Sequence, residues 1–564
     1  MPTDKTKRRV FPAPGEAPMP AADAAALLRR NATDPGLRDR PAVKFDDRVW
    51  THAEFVGEAH RWANLFHARK PKGRALHVGV LLDNTPDYLF ALAGAALSGS
   101  AIVGVNPTRR GEHLLRDIEH TDCGLVITEP CHAPLLEPIT DRLPATLMSH
   151  RYSDAHQTSI CMGGDIDDAL SAVDGRDAGI EPGPGTLWAL ILTSGTSDAP
   201  KAVICTQRRL LVTGSRISII LQLDADDVGY LCMPLFHSNS LMVGWATSIV
   251  VAASVGLARR FSASRWLVDI RRYGTTYWNY TGKPIAYIMA TPERPAFARR
   301  FDVDVIDVYG ATEGGVHVHR EVGDRAGALG LVGENVKVVD EQGNERALAR
   351  FDAAGRLVNA DECVGEIVNV SGAGPFEGYY NNPDANERTL RFGWYWTGDL
   401  GYLDGDRYLY FAGRNAEWVR VDGENFPAQP IENAIARHPD VIVAAVYGVP
   451  DDQAGDQVMV GIVLSDGATF DPAGFAHWLD AQETIGPKWR PRYVRLLRDV
   501  PTTGTNKIIK RALAHQKIRS DRTGGDAVYV RGRRDDGYRR FTRDDEAALR
   551  ASFEQHGRER FWDL

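Results

Sequence analysis

One turn of the chain combines hydroxyl groups, a glycine and a lysine directly after an apolar segment. Residues 187–193 have the composition of a buried strand. The residues at its end and beyond it that could contact a phosphate are Thr193, Ser194, Gly195, Thr196, Ser197 and Lys201. Backbone N–H groups, hydroxyls and an ammonium group in one turn can surround a polyphosphate. The turn differs from a Walker A loop, in which Gly-Lys is followed by Ser or Thr, because Pro200 precedes Lys201 and Ala202 follows it. The composition predicts a phosphate-binding loop, although an ordinary surface turn has the same composition.

A second turn presents an aromatic ring, a hydroxyl and a carboxylate close together. A strand signal leads into Tyr309, Gly310, Thr312 and Glu313. A carboxylate beside a triphosphate is repelled unless a divalent cation lies between them, and Mg²⁺ prefers oxygen ligands. Glu313 is therefore a predicted Mg²⁺ ligand.

Two more turns place a charged side chain near a glycine. Asp399 follows Gly398, and its carboxylate can accept two hydrogen bonds from a ribose diol. Lys507 ends a turn that contains Gly504. Each turn alone is compatible with ordinary loop structure. The order and spacing of all of them together define the candidate site.

Length and composition limit the class of protein that can carry these turns. The chain has 564 residues, which at ~100–200 residues per domain predicts more than one folding unit. Its composition, 43% hydrophobic and 25% charged with a net charge of −8, is that of a globular protein and gives no basic excess for nucleic acid. The six cysteines lack a C-x-x-C pair, so neither a zinc site nor a disulfide framework is predicted, and a cytoplasmic location fits best.

The elements that must position the turns follow an α/β pattern. Residues 78–128 alternate strand and helix signals in the order β-α-β-α-β, which predicts a largely parallel sheet. A hairpin is predicted at residues 402–410, with Asp404-Gly405 supplying a turn that tolerates positive φ. Beyond residue 413, helix and strand signals indicate a separate small α+β domain. The predicted organisation is a flexible arm (1–20), a large domain of packed α/β subdomains with mostly parallel sheets (21–413) and a small mobile domain (414–564) with a hinge at 414–417.

One long segment lacks charge. Residues 229–258 contain no Asp, Glu, Lys or Arg, and a bilayer span needs ~20 such residues. Pro234, His237 and several small polar residues interrupt the segment, and Ser238-Asn239-Ser240 would cap a helix. The prediction is a buried helix rather than a membrane span, with peripheral membrane contact left open.

Taken together, these motifs resemble the adenylate-forming superfamily of acyl-CoA ligases, peptide-synthetase adenylation domains and luciferases, over about residues 40–510. The details most similar to bacterial fatty-acyl-CoA ligases and very-long-chain ligases of the fatty-acid-transport type lie at residues 233–239, 279–284, 376–380, 421–425 and 503–507. The resemblance implies two steps that use ATP, Mg²⁺ and CoA. A carboxylate first attacks the α-phosphate of ATP and releases pyrophosphate, and the CoA thiol then displaces AMP from the acyl-adenylate. It also implies that the small domain rotates between the two steps.

The resemblance assigns a role to each candidate residue near the phosphates. The loop from Thr193 to Lys201 would hold pyrophosphate, and Thr196 and Glu313 would bind Mg²⁺. Thr312 would contact the α-phosphate. Lys507 would bridge the carboxylate and phosphate oxygens during adenylation, where its charge offsets the charge that develops.

The remaining assignments concern the nucleoside, the acid and CoA. Tyr309 would lie against adenine, with Gly310 in the same nucleotide-binding turn, and Asp399 and Arg414 would hold the ribose. His237 would gate or line the acyl pocket. The loop used in thioester formation would contain Gly423, Glu424 and Asn425.

Two departures from the family pattern keep alternatives open. Asp198 stands where relatives have glycine, and it adds negative charge beside the predicted pyrophosphate site. The stretch between Thr291 and Tyr309 is shorter than in relatives, so part of the substrate pocket is expected to differ. The leading hypothesis is an ATP-dependent acyl-CoA ligase. The alternatives are a diazotase that uses nitrite and an aromatic amine, another adenylate-forming ligase that does not use CoA, and a nucleotide-binding protein without turnover.

Overall fold

The computed structural model describes residues 18–150, 164–193, 200–280, 301, 303, 305–306, 308–319, 325, 327–353, 357–414, 418–421, 424–453, 456–482, 485, 489–502, 508–532 and 537–563. Its backbone contacts divide the chain into two compact units. The first unit consists of Met1–Thr281, Thr312–Gly314 and Gly374–Arg388, and the second of Gly282–Ala311, Gly315–Ala373 and Thr389–Leu564. Most of the predicted arm lies outside the described residues, and the predicted domain boundary at residue 414 stays a prediction.

A large sheet in the first unit orders its described strands as Tyr379–Tyr380, Lys201–Thr206, Leu187–Thr193, Ala101–Gly104, His77–Leu81, Cys123–Thr128, Thr146–Ser149 and Gly164–Asp165. Lys201–Thr206 pairs antiparallel with both of its neighbours, Tyr379–Tyr380 and Leu187–Thr193. All the other strand pairs of this sheet are parallel. The helix Pro86–Ser98 ends at Gly99, whose φ of 67° is a left-handed conformation that glycine adopts without strain. The predicted β-α-β-α-β order and its parallel sheet are confirmed.

A second sheet of this unit has the strand order Tyr277–Trp278, Val228–Leu231, Ser254–Leu257, Pro41–Phe45 and Arg48–Thr51. The uncharged segment supplies two of these strands. Between them it forms a π-helix at Asn239–Trp245 that continues as the α-helix Ala246–Val250. Trp245 is only 1% exposed, so the prediction of a buried helix is confirmed.

The second unit contains an antiparallel sheet with the order Gly330–Leu331, Tyr408–Arg414, Trp394–Leu403, Gly365–Asn369 and Val336–Val339, and Leu390–Arg391 pairs beside Trp394–Leu403. The predicted hairpin is confirmed, but its turn differs from the prediction. Within residues 404–407 the left-handed φ of 66° belongs to Arg407 rather than to the glycine. The reason is that the Asp404 carboxylate accepts hydrogen bonds from the backbone N–H groups of Asp406 and Tyr408, which stabilises a wider turn.

The end of the chain forms an α+β arrangement around the sheet Val441–Pro450, Asp456–Leu464, Tyr493–Leu496, Ala527–Val530 and Arg539–Arg540. The helices Gln429–Ile435 and Pro472–Asp480 pack on one apolar cluster of this sheet. Side chains of the helices Lys510–Gln516 and Arg543–Gln555 belong to another cluster. The sequence signals predict helices at 431–437 and near 475–481 and strands at 441–446 and 458–464. All four are confirmed, with ends that differ by up to four residues.

The other described elements are shorter or more peripheral. Two-stranded pairs join Val308–Gly310 to His317–His319 and Trp418–Val421 to Glu424–Pro427. The remaining described helices are Ala24–Thr33, His52–Ala68, Gly111–His120, Ala133–Leu136, Ile166–Ser171, Gln207–Leu221, Ala263–Tyr273, Ala360–Cys363, Pro383–Thr389 and Glu559–Asp563, with a 3₁₀ turn at Glu137–Arg142. Among the residues that the structure describes, no helix combines the length and the apolar composition that a membrane span requires.

Candidate functional site

The two ends of the predicted phosphate-binding loop are neighbours in the large sheet. Thr193 and Lys201 are directly paired in the antiparallel ladder, and the Thr193 hydroxyl donates to the Lys201 carbonyl at 3.4 Å. Ser194, Gly195, Thr196 and Ser197 lie outside the described residues. The Lys201 ammonium lies 5.3 Å from the ring centroid of Tyr379, within the range of a cation–π contact. The sheet thus fixes the base of the loop and directs its lysine toward Tyr379.

Tyr379 also contacts the predicted magnesium ligand. Its hydroxyl donates a hydrogen bond to Glu313 Oε1 at 2.7 Å. A carboxylate oxygen has two lone pairs, so Glu313 keeps acceptor positions for a cation after this bond is made. Carboxylate oxygen is the ligand type that Mg²⁺ prefers. The donor chemistry at Glu313 therefore fits a magnesium ion.

Thr312 is placed beside the segment that carries His237. The hydroxyls of Thr312 and Ser238 are hydrogen-bonded at 2.8 Å. Ser238 stands at the N-cap position of the π-helix, as predicted, but its side chain makes no capping bond there. The Ser238 hydroxyl is hydrogen-bonded to Thr312 instead. The His237 carbonyl accepts from Leu241 N–H at 3.0 Å, and its ring lies 4.3 Å from that of Phe236. π-Helical turns are frequent at functional sites, and this one holds Thr312 and His237 in one region.

Arg209 was missed by the sequence analysis, although it organises this region. Its side chain is buried, and its guanidinium donates to the carbonyl oxygens of Thr312 at 2.5 Å and Glu313 at 3.0 Å. It also donates to the Ile204 carbonyl at 2.6 Å. Arg209 therefore ties the turn that carries the predicted magnesium ligand to the strand Lys201–Thr206. Thr312 and Glu313 lie 103 and 104 residues from Arg209 in the chain, so no local pattern predicts these two contacts.

A separate cluster lies in the second unit and contains the predicted nucleoside residues. The Tyr309 hydroxyl donates to Asp399 Oδ2 at 2.7 Å, and the Tyr309 ring lies 6.0 Å from that of Phe411. Asp399 is only 6% exposed. Gly398, directly before it, has a φ of 73°, which requires glycine or another residue that tolerates the left-handed region. This turn holds a buried carboxylate with one oxygen already bound to a phenol.

The other predicted residues are placed only in part. Arg414 is the direct cross-strand partner of Asp399, which agrees with a shared role, although its side chain lies outside the described residues. Glu424 and Asn425 begin the strand Glu424–Pro427, where their backbone pairs with Val421 and Arg420. Gly423 and Lys507 lie outside the described residues. Gly310 pairs with His317, and a Cβ on it would lie 2.9 Å from the His317 ring.

A group of potential metal ligands outside the predicted site consists of Asp83, Glu129, Cys131 and His132. Arg259 donates to Asp83 Oδ2 at 3.1 Å and also pairs with Glu129, while His132 Nε2 bonds Asp83 Oδ1 at 2.9 Å. Burial lowers the pKa of His132, but its bonds to Asp83 and Cys131 outweigh burial and raise that pKa to about 10. A metal ion would have to displace this proton and compete with the guanidinium. We therefore assign the cluster as an ion-pair network.

Comparison with known protein families gives the class to which this fold and these residues belong. Residues 28–300 match the family described as AMP-binding enzyme, and residues 430–507 match the AMP-binding enzyme C-terminal domain. Among solved structures, the anthranilate CoA ligase AuaEII in complex with anthranoyl-AMP superposes with a TM-score of 0.75 at 21% identity, over 88% of this chain and 96% of that one. ATP-bound MatB from Rhodopseudomonas palustris superposes with a TM-score of 0.72 at 23% identity, over 88% and 98%. These structures share the fold.

Curated relatives are considerably closer in sequence. The steroid-22-oyl-CoA synthetase of Rhodococcus jostii (strain RHA1) is 41% identical over 93% of this chain and 96% of its own length. The medium/long-chain-fatty-acid–CoA ligase FadD17 of Mycobacterium marinum (strain ATCC BAA-535 / M) is 40% identical over 84% of this chain and 92% of its own length. The chain belongs to the AMP-binding enzyme family, and the resemblance found in the sequence is confirmed.

Proposed function

We propose that the acid activated by this AMP-forming acyl-CoA ligase is a large apolar carboxylic acid, and that a steroid with a side-chain carboxylate is the first candidate. The observation that carries the proposal is the 41% identity over 93% of the chain with a steroid-22-oyl-CoA synthetase. A medium- or long-chain fatty acid is the second candidate, because a ligase named for such acids is 40% identical over 84% of the chain. The acyl-CoA ligase hypothesis is favoured over the diazotase and the inactive nucleotide-binding protein.

Aromatic side chains at one edge of the second sheet support an apolar acid. The Trp278 ring lies 5.3 Å from Trp266, 5.4 Å from Tyr280 and 6.3 Å from Phe261, to which it is nearly parallel. Trp278 is the last residue of the strand Tyr277–Trp278, and Phe261 lies four residues after the parallel strand Ser254–Leu257. Both therefore lie toward the carboxyl ends of parallel strands, where ligands generally bind. Flat aromatic faces offer large apolar contact area at low cost in side-chain entropy, which suits a rigid ring system or a long alkyl chain.

The first half-reaction joins the acid to AMP. An oxygen of the acid attacks the α-phosphorus of ATP, the bond to the bridging oxygen breaks, and pyrophosphate leaves with that electron pair. We assign Lys507 to the oxygens between acid and phosphate, Thr312 to the α-phosphate, and the loop from Thr193 to Lys201 to pyrophosphate. Bound Mg²⁺ supplies charge neutralisation on the phosphates, and Glu313 with Thr196 would hold it. The hydrogen bond from Tyr379 to Glu313 supports this assignment because it fixes the carboxylate.

Binding of the nucleoside is assigned to the cluster of the second unit. Asp399 and Arg414 would hold the ribose, and Tyr309 with Gly310 would lie beside adenine. The bond from Tyr309 to Asp399 supports the assignment, because it fixes the carboxylate beside the Tyr309 ring, and a carboxylate can accept hydrogen bonds from ribose hydroxyls.

The second half-reaction transfers the acyl group. The CoA sulfur attacks the carbonyl carbon of the acyl-adenylate, the thiol proton is lost, and AMP leaves with the electron pair of the acyl–oxygen bond. We assign Gly423, Glu424 and Asn425 to the loop used in this step and His237 to the wall of the acyl pocket. His237 lies two residues before the π-helix Asn239–Trp245, and this placement supports a role in shaping the pocket.

A panel of acids tests the proposal. The chain is assayed with ATP, Mg²⁺ and CoA on a C22 steroid carboxylate, dodecanoate, hexadecanoate, benzoate and acetate, and acyl-CoA is measured by mass spectrometry. We expect the highest kcat/KM for the steroid acid, followed by the fatty acids, and little turnover of acetate. Preference for benzoate or acetate would contradict the proposed class of acid.

A further inference from the structure

We propose that the buried ion pair between Glu432 and Lys510 positions Lys507 for adenylation. The inference rests on the proposed function, in which Lys507 bridges the oxygens of the acid and the α-phosphate. It adds two positioning residues that the sequence analysis did not single out. Neither residue is assigned a contact with substrate.

The ion pair is short and protected from solvent. The Lys510 ammonium donates to Glu432 Oε2 at 3.0 Å, and the two side chains are 11% and 9% exposed. The other oxygen, Oε1, accepts from the backbone N–H of Val446 at 2.7 Å. Both oxygens of Glu432 are therefore engaged, so the carboxylate is fixed to the strand Val441–Pro450. Lys510 is tied to the sheet of that strand through it.

Lys510 also begins the helix that follows the turn at residues 503–507. The helix Lys510–Gln516 starts at this residue, and it packs through the buried Leu513 on the same sheet. Lys507 precedes Lys510 by three residues, a stretch that spans at most ~11 Å when fully extended. Any change in the position of Lys510 is thus transmitted over a short, covalently limited distance to Lys507.

The backbone on both sides of residues 503–507 is closed by hydrogen bonds. Thr502 and Ile508 form an antiparallel bridge, and Ile509 N–H donates to the Pro501 carbonyl at 2.8 Å. These bonds hold together the described residues on either side of the segment 503–507. The ion pair of the adjacent Lys510 supplies a fixed point beside these residues. Together the contacts define where the loop leaves the domain.

An ion pair is a costly way to fill this position if stability alone is required. Removing two charges from water costs several kcal/mol per ion, and apolar residues of similar size often stabilise a fold as well or better. What an ion pair adds is a defined direction and distance. Since a displacement of ~1 Å at a reacting group can lower a rate by ~100-fold, a fixed direction matters most for the residue that touches the reacting oxygens.

The test separates the two half-reactions of the full-length chain. Pyrophosphate release is followed in single turnover with ATP, Mg²⁺ and the preferred acid of the panel, without CoA. Acyl transfer is followed separately by mixing CoA with the synthetic acyl-adenylate of the same acid. The variants are Lys510→Met, Lys510→Arg, Glu432→Gln and the double variant Lys510→Met/Glu432→Gln. Arg511→Met, at the neighbouring exposed residue, is the matched control.

We expect Lys510→Met to slow pyrophosphate release by ~10- to 100-fold, with ATP affinity and acyl transfer within ~3-fold of the parent. Glu432→Gln should act in the same direction, the double variant should be no slower than the slower single variant, and Lys510→Arg should recover most of the rate. Arg511→Met should behave as the parent. Thermal unfolding of each variant identifies any that fails to fold, in which case Glu432→Gln, which keeps the size and shape of the side chain, decides the question.

Pyrophosphate release within ~3-fold of the parent in Lys510→Met and Glu432→Gln would overturn the inference. An equal loss in both half-reactions would also overturn it, because a purely structural pair lowers both. In either case an active parent enzyme leaves the proposed function standing. If the parent released no pyrophosphate with any acid of the panel, the proposed function would fail and the inference with it.

Discussion

Substitution of Asp399 by Asn tests the nucleoside cluster at its buried carboxylate. The side chain is 6% exposed, and Tyr309 already donates to Oδ2 at 2.7 Å. The proposed ribose contacts are therefore charge-assisted bonds in a protected environment. Asn keeps the size of the side chain but removes the charge and replaces one acceptor by a donor.

The expected loss follows from the strength of these bonds. A hydrogen bond to a charged group contributes ~1.5–3 kcal/mol, and a neutral one ~0.5–1.5 kcal/mol. The difference, ~1–1.5 kcal/mol for each of two ribose hydroxyls, gives ~2–3 kcal/mol. Since every 1.4 kcal/mol is a factor of ten, Asp399→Asn should weaken ATP binding by ~30- to 100-fold. Tyr309→Phe, which removes one donor to the carboxylate but keeps its charge, should weaken it by only ~3- to 10-fold.

The assay uses ATP, 2′-deoxyATP and 3′-deoxyATP, with nucleotide affinity measured by calorimetry and kcat/KM by pyrophosphate release. The parent should bind each deoxynucleotide ~10- to 100-fold more weakly than ATP, whereas Asp399→Asn should discriminate against them by only ~2- to 10-fold. Asp361→Asn, at an exposed residue of the same unit, controls for a general effect of losing one charge. If Asp399→Asn still discriminated against the deoxynucleotides as the parent does, Asp399 would not hold the ribose and the reasoning would be refuted.

Three further substitutions test other contacts. Glu313→Gln should raise the Mg²⁺ concentration needed for half-maximal turnover without changing the far-UV spectrum, since it removes charge from a hard-cation ligand but no volume; an unchanged Mg²⁺ titration would exclude Glu313 as the ligand. Lys507→Ala should lower the rate of pyrophosphate release far more than ATP affinity, because its charge acts mainly in the transition state; equal losses in both would argue against this role. His132→Gln should destabilise the chain by ~1–2 kcal/mol in urea unfolding at pH 6, with allowance for screening of a half-buried group. The folded pKa of His132 is raised to about 10, so the stabilisation from His132 is complete below its ordinary pKa near 6.5 and is lost as the pH rises toward 10. The destabilisation caused by His132→Gln should therefore become smaller as the pH rises. A destabilisation that became larger with pH would contradict the ion-pair assignment.

Local pattern was sufficient for the elements that frame the site. The run at residues 78–82, followed by Thr85-Pro86 and ended by Ser98-Gly99, carries a strand, a first-turn proline and a left-handed terminus within a short stretch. Each signal depends on neighbours in sequence, so the strand His77–Leu81 and the helix Pro86–Ser98 could be predicted with nearly correct ends. The strand predicted at 458–464 is likewise found at Asp456–Leu464, whereas the strand predicted at 441–446 continues to Pro450, four residues beyond its predicted end.

The contacts that organise the site were beyond local pattern. Tyr379 lies 66 residues from Glu313, and Tyr309 lies 90 residues from Asp399. Such bonds depend on strand order, which the sequence of one strand does not encode. The motif around Tyr379 was noticed only as a family likeness, and it was the available signal for this residue. Arg209 had no signal, because an arginine in the first turn of a helix is ordinarily a solvated side chain.

Turn chemistry shows a subtler difference. The Asp404-Gly405 pair correctly predicted a hairpin, but the side chain of Asp404 binds the backbone N–H groups of Asp406 and Tyr408 and so widens the turn. Asp was expected to tolerate positive φ. Its hydrogen-bonding capacity, which stabilises turns without positive φ at the aspartate itself, decided the geometry.

The most direct measurement of the central claim is the identity of the products. The full-length chain is incubated with ATP, Mg²⁺, CoA and the C22 steroid carboxylate, and nucleotides and thioesters are quantified together by mass spectrometry. We predict AMP, pyrophosphate and the steroid acyl-CoA in equal amounts, and acyl-AMP in place of acyl-CoA when CoA is omitted. Release of ADP and phosphate, or nucleotide turnover with no thioester from any acid of the panel, would contradict the assignment as an AMP-forming acyl-CoA ligase.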